Sequence, residues 1–358
     1  MLSRHDMSDF VDQDMWSADL CALIEAGAET FDQTLPWLEC FQRHVVGPRE
    51  QMVLTRTEDD AGRMQAVLPM LYARVAVLGG IRLSALTAAS NYYTAAFGPI
   101  VRPGTDARCL ESLAAATLTS AQHVNVVDLN PVADDSAFLT CCLRMFGSHG
   151  WFTQVYPRFG NWIEPVAGRS FKEFLKDRPG NLRSTLSRKS KRLGARAGAR
   201  YRIVTDEEQV EHALNQYEAV YRTSWKSDEP YKGFIRQVCL QFARRGWLRL
   251  GVLEVEGEPV AAQIWFTYRQ TASIFKLAYD PRYADLSVGS LLSAHLFQYA
   301  LDVDKVQVVD YLCGDDPYKR DWMTVRRQRV GLRAVRRSSS AGLLERARRT
   351  ATLLRRAV

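Results

Sequence analysis

Along this chain of 358 residues the apolar positions alternate between the spacing of helices and the every-second-residue pattern of strands. After a polar, acidic start, the pattern predicts a helix over Leu35–His44, carrying Trp37, Leu38, Cys40 and Phe41. Strand-like runs follow at 51–57, 64–72 and 75–78, with a longer piece at 83–95 that polar residues interrupt. Helical spacing returns over 106–120 and 135–149, with buried-strand runs at 123–128 and 151–156. Strands followed by alternating helix and strand make an α/β unit of about 120 residues.

The second half has a different order. A helix at 171–175 runs past Pro179 and Gly180 into LRSTLSRKSKRLGARAGAR, where Leu182, Leu186 and Leu193 keep helical spacing among Arg and Lys. Then come a strand at 201–204, helices at 207–225 and 231–245, and three strands at 247–255, 259–268 and 271–279. Glu256, Gly257 and Glu258 form one hairpin turn, and Arg269 with Gln270 another. The stretch SIFKLAYDPRYADLSVGSLLSAHLFQYAL, 273–301, then reads as strand, loop and helix, with the strand broken at Asp280 and Pro281. Ser287, Val288, Gly289 and Ser290 bring small residues and free backbone N–H groups to the positive end of that helix, which suits an anionic phosphate. A plain helix start is the alternative. A strand at 306–312, a Gly-Asp-Asp-Pro break and an amphipathic section finish the chain.

Composition bounds what these elements build. Hydrophobic content of 47% over this length supports two domains with separate cores. The net charge of +7 conceals segregation: 181–204 holds eight basic residues and no acid, and 326–358 holds eleven arginines and one acid. The remaining residues are therefore net acidic, with two basic appendages. Seven scattered cysteines without CxxC or Cys/His spacing read as reduced thiols in a cytoplasmic protein rather than a metal site. The polar first residues are neither a signal nor a transit peptide, and no window is apolar enough to span a membrane.

With the elements in place, the second half resembles the GNAT fold of N-acetyltransferases, and within it the CelD/BcsL branch related to FemAB proteins, which carry two such domains in tandem. The resemblance rests on the paired helices ending in Ser224, Trp225 and Lys226, on Lys276 to Pro281, and on Ser287, Val288 and Gly289. Val309, Asp310, Tyr311 and Gly314, then Tyr318, Lys319 and Trp322, complete it. It implies an α/β architecture of tandem GNAT domains, mixed sheets flanked by helices, with a basic C-terminal helix. The divisions are 1–45 as lead and helix, 46–180 as a first GNAT-like domain and 181–200 as a basic connector helix. Residues 201–335 would be the catalytic domain and 336–358 a basic tail. The family's phosphate loop carries an Arg or Gln and three small positions; here Ala284, Asp285 and Ser287 fall at the first three of these and Gly289 at the last. An Asp beside a pyrophosphate repels it by about 1 kcal/mol at a solvated surface.

In that layout two strands splay apart around the acyl group, and the resemblance makes the N–H groups of Leu277, Ala278 and Tyr279 oxyanion and pantetheine contacts, with acyl-CoA as donor and no metal. Asp310 is a general base or amine-binding anion, or else a turn carboxylate capping the Gly314 loop. Tyr318 is placed to protonate the departing thiolate and Lys319 to bind a phosphate or carboxylate, unless both are surface residues. Lys276 interrupts an apolar strand and is a candidate catalytic residue, or else points to solvent, and Gln263, a candidate substrate contact, puts an amide where a buried partner is required. Trp225, Lys226 and Trp322 border the acceptor side, while in the first half Tyr92 and Tyr93 line a pocket or fill a core edge.

The basic tail offers a helix to anionic lipid headgroups at the inner membrane face, or is a solvated end. The expected activity is acyl transfer to an amine or hydroxyl of a saccharide or lipid-linked precursor in exopolysaccharide, cellulose or envelope biosynthesis. FemAB-like transfer from charged tRNA, held by the cations of 183–200, is a second reading, and a non-catalytic GNAT-like binding module a third.

Overall fold

The computed structural model describes residues 16–76, 82–195, 198–224, 226, 228–231, 233–343 and 345. The chain divides into two units, residues 1–159 with 328–358 and residues 160–327. The first contains helices α1 (Ala18–Gly27) and α2 (Leu35–His44), strands β1 (Glu50–Glu58), β2 (Met64–Ala76), β3 (Arg82–Ala88) and β4 (Ile100–Val101), helix α3 (Cys109–Ser120), strand β5 (Val126–Ala133) and helix α4 (Ala137–Ser148). Strand β6 (Trp151–Pro165) carries the chain into the second unit.

There follow α5 (Phe171–Lys176), α6 (Gly180–Gly194), β7 (Arg200–Val204), α7 (Glu207–Thr223), α8 (Phe234–Ala243), β8 (Leu248–Val255), β9 (Glu258–Tyr268) and β10 (Thr271–Tyr279). A 3₁₀ turn at Pro281–Leu286 leads into α9 (Val288–Asp302), then β11 (Val308–Asp310) and the single turn α10 (Lys319–Trp322). Strand β12 (Val325–Arg336) returns the chain to the first unit.

Each unit contains the same strand arrangement. In the first, β1, β2 and β3 form an antiparallel meander, β5 lies parallel to β3, and β12 lies antiparallel to β5. In the second, β7 to β10 are antiparallel in turn, β11 lies parallel to β10, and β6 lies antiparallel to β11. Each sheet is thus closed by a strand from a distant part of the sequence. Residues 329–335, placed by the sequence within the 201–335 domain, pair with β5 of the first unit. Alternation within a strand says which residues point inward, not which sheet accepts it.

Local chemistry explains the helices. Asp206 caps α7 by accepting from Gln209 N at 3.1 Å. Ser170 and Glu173 form a reciprocal capping box at α5. Helix α1 lay hidden in the polar lead, although Leu20, Leu23, Ile24 and Gly27 have helical spacing and are buried. On one face of the second sheet, α5, α6 and α9 enclose Phe174, Leu186, Leu193, Trp265, Leu292 and Phe297. Each such side chain contributes about 1.5–3 kcal/mol by burial. Gly251 lets α9 come close to β8: a Cβ there would lie 2.8 Å from Leu296 Cδ1. Helix α7 packs on β8 and β9 through Val210, Ala213, Leu214, Tyr217 and Val220.

Candidate active site

The second unit opens where β10 and β11 part. Their parallel pairing covers only Thr271 with Val308, Ala272 with Val309 and Ser273 with Asp310, whereas β10 stays paired with β9 as far as Tyr279. A register shift between Ile274 and Lys276 marks the divergence. Asp280 N donates to Val260 O at 2.9 Å, which sets the phase of the strand. By alternation, the backbone groups of Ala278 face β9, while those of Leu277 and Tyr279 face the gap. The expected contact from the Ala278 amide therefore drops out, because an antiparallel neighbour already faces it.

Lys226, between α7 and α8, reaches into this opening and donates from Nζ to Leu277 O at 2.5 Å. Lys276 meets both carboxylate oxygens of Glu229, at 2.9 and 3.1 Å, with both side chains largely buried. Lys319, only 4% exposed, donates to Cys313 O at 2.5 Å and Gly314 O at 3.2 Å and lies 3.4 Å from Asp316. Burial, and then the positive charge of Lys276, lowers the Lys226 amine to about 8. Burial also pulls Lys276 and Lys319 below the usual lysine range, against the pull of Glu229 on one and Asp316 on the other. Glu229 had no sequence signal: it lies in a stretch without periodicity, and only folding brings it to Lys276.

Asp310, at the fork, is fully engaged. Its Oδ1 accepts from Asn161 Nδ2 at 2.6 Å and Leu312 N at 2.7 Å, and its Oδ2 from Arg327 at 3.1 Å. It holds the turn after β11, so a direct proton-accepting role would require breaking these bonds. Tyr318 lies edge-on to Tyr311 at 5.8 Å and remains partly exposed. Burial, then the Asp316 carboxylate, raises its hydroxyl above the usual tyrosine range.

Gln263 Nε2 donates to Gly289 O and Ser293 Oγ, both at 2.9 Å, and its Oε1 accepts from Trp265 Nε1 at 2.9 Å. It ties the first turn of α9 to the sheet and has no group left for a substrate. Trp322 is also core: it is 3% exposed and stacks on Phe297 at 4.8 Å. Trp225 lies outside the described residues, as does the tail from 346 onward. Tyr92 and Tyr93 belong to the first unit, where Asn91 Oδ1 accepts from Tyr93 N at 2.8 Å, with Tyr93 buried and Tyr92 74% exposed.

The loop before α9 is a 3₁₀ turn, and Ser287, at φ 53 and ψ 40, is the N-cap residue without a side-chain cap. Val288, Gly289 and Ser290 form the first helical turn, and Gly289 lies against the Tyr279 ring, where a Cβ would stand 3.2 Å from Cδ1. The Asp285 carboxylate accepts from Arg192 of α6 at 3.0 Å, and its carbonyl accepts from Lys189. The acid that weakens the loop as an anion site is thus turned to Arg192 of the connector helix, with Lys189 on the backbone carbonyl beside it. Among the described residues, no group of three or more His, Cys, Asp or Glu is arranged to hold a metal ion, and none of the seven cysteines is in a disulfide.

The first unit has the same fork, with Ala85, Leu86 and Thr87 opposite Val126, Val127 and Asp128. There Asp128 takes the place of Asp310, accepting from Tyr156, Asn130 and Arg333. Its gap is bridged from within: Ser90 Oγ donates to Asn130 O at 2.7 Å and Phe97 N to Pro131 O at 2.6 Å.

Residues 180–320 match the model of the acetyltransferase (GNAT) domain family. The second unit is a GNAT domain. Its chemistry is therefore that of an acyltransferase, and the fold of the protein is GNAT/FemAB-related. FemX is similar to this chain at 12% identity with a TM-score of 0.58, covering 87% of this chain and 94% of that one. The C-terminal domain of a protein named as a lysylphosphatidylglycerol synthetase from Agrobacterium fabrum is similar at 14% identity and TM-score 0.55, covering 93% and 95%. At these identities the likeness is one of fold. No curated protein sequence matches the chain. No described helix of the protein is long and apolar enough to cross a membrane.

Proposed function

We propose that the GNAT domain transfers an acyl group from acyl-CoA to an amine or hydroxyl of a saccharide or lipid-linked precursor, at the gap between β10 and β11. The observation that carries the reading is the fork: β10 loses its parallel neighbour after Ser273, and the backbone groups of Leu277 and Tyr279 face the gap, where Lys226 reaches Leu277 O. Bound there, a thioester supplies an activated acyl carbon. The chain's part is to orient it, with the N–H groups of Leu277 and Tyr279 at the strand edge and the amides of Val288, Gly289 and Ser290 toward phosphate. Lys226, with its amine near 8, exchanges protons close to neutral pH, a role that Asp310 in its three bonds fills less readily. Tyr318 and Lys319 stand on the turn beyond the fork, toward the departing thiolate.

The acceptor reading draws on the fold shared with a lysylphosphatidylglycerol synthetase domain. The bridged gap of the first unit supports the second unit as the reactive one. The test is thiol release from a panel of acyl-CoAs with increasing chain length, alongside direct binding. Release with any member supports the reading; neither release nor binding with all of them refutes it.

A second reading, aminoacyl transfer from charged tRNA, is favoured by one feature: Arg183, Arg188, Lys191 and Arg192 are all exposed on α6, in a chain sharing the FemX fold. RNA binding that falls steeply with salt, and is lost when Arg188, Lys189, Lys191 and Arg192 become Ala, is its signature.

A further inference from the structure

Helix α6, whose Lys189 and Arg192 hold the loop before α9, also forms one wall of a groove. With α5, α9 and β7 it encloses about 320 Å³, all within the second unit. That volume is at the lower end for small-ligand sites, which run from about 300 to 1,000 Å³. The groove shares no lining residue with the fork. Its floor is apolar: Leu186 and Leu291 are buried there, and Phe171, Leu175, Tyr201 and Ala294 flank them partly buried.

The rim is polar and contains no acid. Arg183, Ser187 and Ser190 share one face of α6, and His295 and Gln298 line the groove from α9. None of these five side chains makes a hydrogen bond or ion pair within the described residues. The nearby acids of the α5 segment are engaged elsewhere, Glu173 in the capping box with Ser170 and Asp177 with Arg169 at 2.7 Å. His295 lies against the Tyr201 ring at 4.9 Å, and burial lowers its imidazole below the usual histidine range, so it is neutral at pH 7. Arg183 is therefore the cation of the lining. From Arg183 to Ser190 the helix rises about 10 Å, the length of a chain of about eight carbons at C–C bonds of about 1.5 Å.

We propose that this groove binds a free single-chain acyl anion, its chain lying along α6 over Leu186 and Leu291 and its carboxylate meeting Arg183. The two carboxylate oxygens match the guanidinium fork, and the serine hydroxyls supply further donors. A free molecule fits better than a bilayer, because the apolar residues line a concavity and none of them is exposed, whereas contact with a bilayer needs apolar side chains that protrude.

The experiment is titration calorimetry of the whole protein, without acyl-CoA, using hexanoate, octanoate and decanoate below their micelle concentrations and 1-octanol as the neutral counterpart. Octanoate should bind saturably and about tenfold tighter than hexanoate, as two more methylenes leave water. Octanol, and octanoate with Arg183→Gln, should each bind about tenfold more weakly than octanoate with the wild type. Ser187→Trp places an indole in the groove from an exposed helix position, and should abolish binding while urea melts show the fold retained. If that variant fails to fold, Arg183→Gln and octanol decide. The proposal is overturned by no saturable binding of any acid, by affinity that ignores chain length, or by octanoate binding unchanged in Arg183→Gln. Anionic phospholipid vesicles that bind the wild type but not Ser187→Trp, with no octanoate binding, would make the groove a bilayer contact and overturn it as well. Because no acyl-CoA enters the test, its result stands apart from that of thiol release.

Discussion

Replacing Lys226 by Met should make the folded protein more stable at pH 7 while impairing its site. The amine titrates at about 8 against an ordinary value of 10.5. Because the folded state binds its proton less tightly than the unfolded chain, holding Lys226 charged costs about 3 kcal/mol at pH 7. The cost is fully present below the folded value and fades as pH rises from about 8 toward 10.5; at pH 10 about 1 kcal/mol remains. Methionine keeps the length of the side chain but not the charge, and it gives up the bond to Leu277 O, worth about 1 kcal/mol. The net gain at pH 7 is therefore about 2 kcal/mol, and at pH 10 it is close to nothing. Urea denaturation of wild type and variant at both pH values measures this, with the difference between the two proteins cancelling the titrations of groups not coupled to Lys226. A variant no more stable than wild type at pH 7, or an advantage that persists unchanged at pH 10, would refute the reasoning that the lysines at the fork store unfavourable charge.

Four further outcomes follow from named contacts. Asp310→Ala leaves Asn161 Nδ2, Leu312 N and Arg327 without their shared acceptor, so denaturant melts should show a loss of about 2–4 kcal/mol and turnover should fall with it. Gln263→Leu strips partners from Gly289 O, Ser293 Oγ and Trp265 Nε1, with an expected loss of about 2–3 kcal/mol in the same assay. Gly251→Val drives a side chain into Leu296 and Leu292, and thermal unfolding should report a loss of about 1–3 kcal/mol. Gly289→Val presses on the Tyr279 ring at the first turn of α9, so donor affinity measured by calorimetry should drop more than stability does.

Periodicity and turn chemistry along the chain were enough to place the helix and strand order of the second half: β8, β9 and β10 with their tight turns, and the helix that starts after Ser287. Those signals are local, because strand alternation, caps and turns involve residues within a few positions of one another. The same reasoning marked Lys276 and Gln263 as polar groups in apolar strands. What the site residues touch came only with the tertiary structure: Gln263 and Trp322 serve packing, and Asp310 accepts from Asn161, which lies 149 positions away, as well as from Leu312 N and Arg327. The exchange of β6 and β12, the forks after Ser273 and Thr87, and the meeting of Lys226, Glu229 and Lys276 all depend on which strands pair. Pairing is settled by the packing of whole sheets, a global balance of burial that no short window of sequence contains.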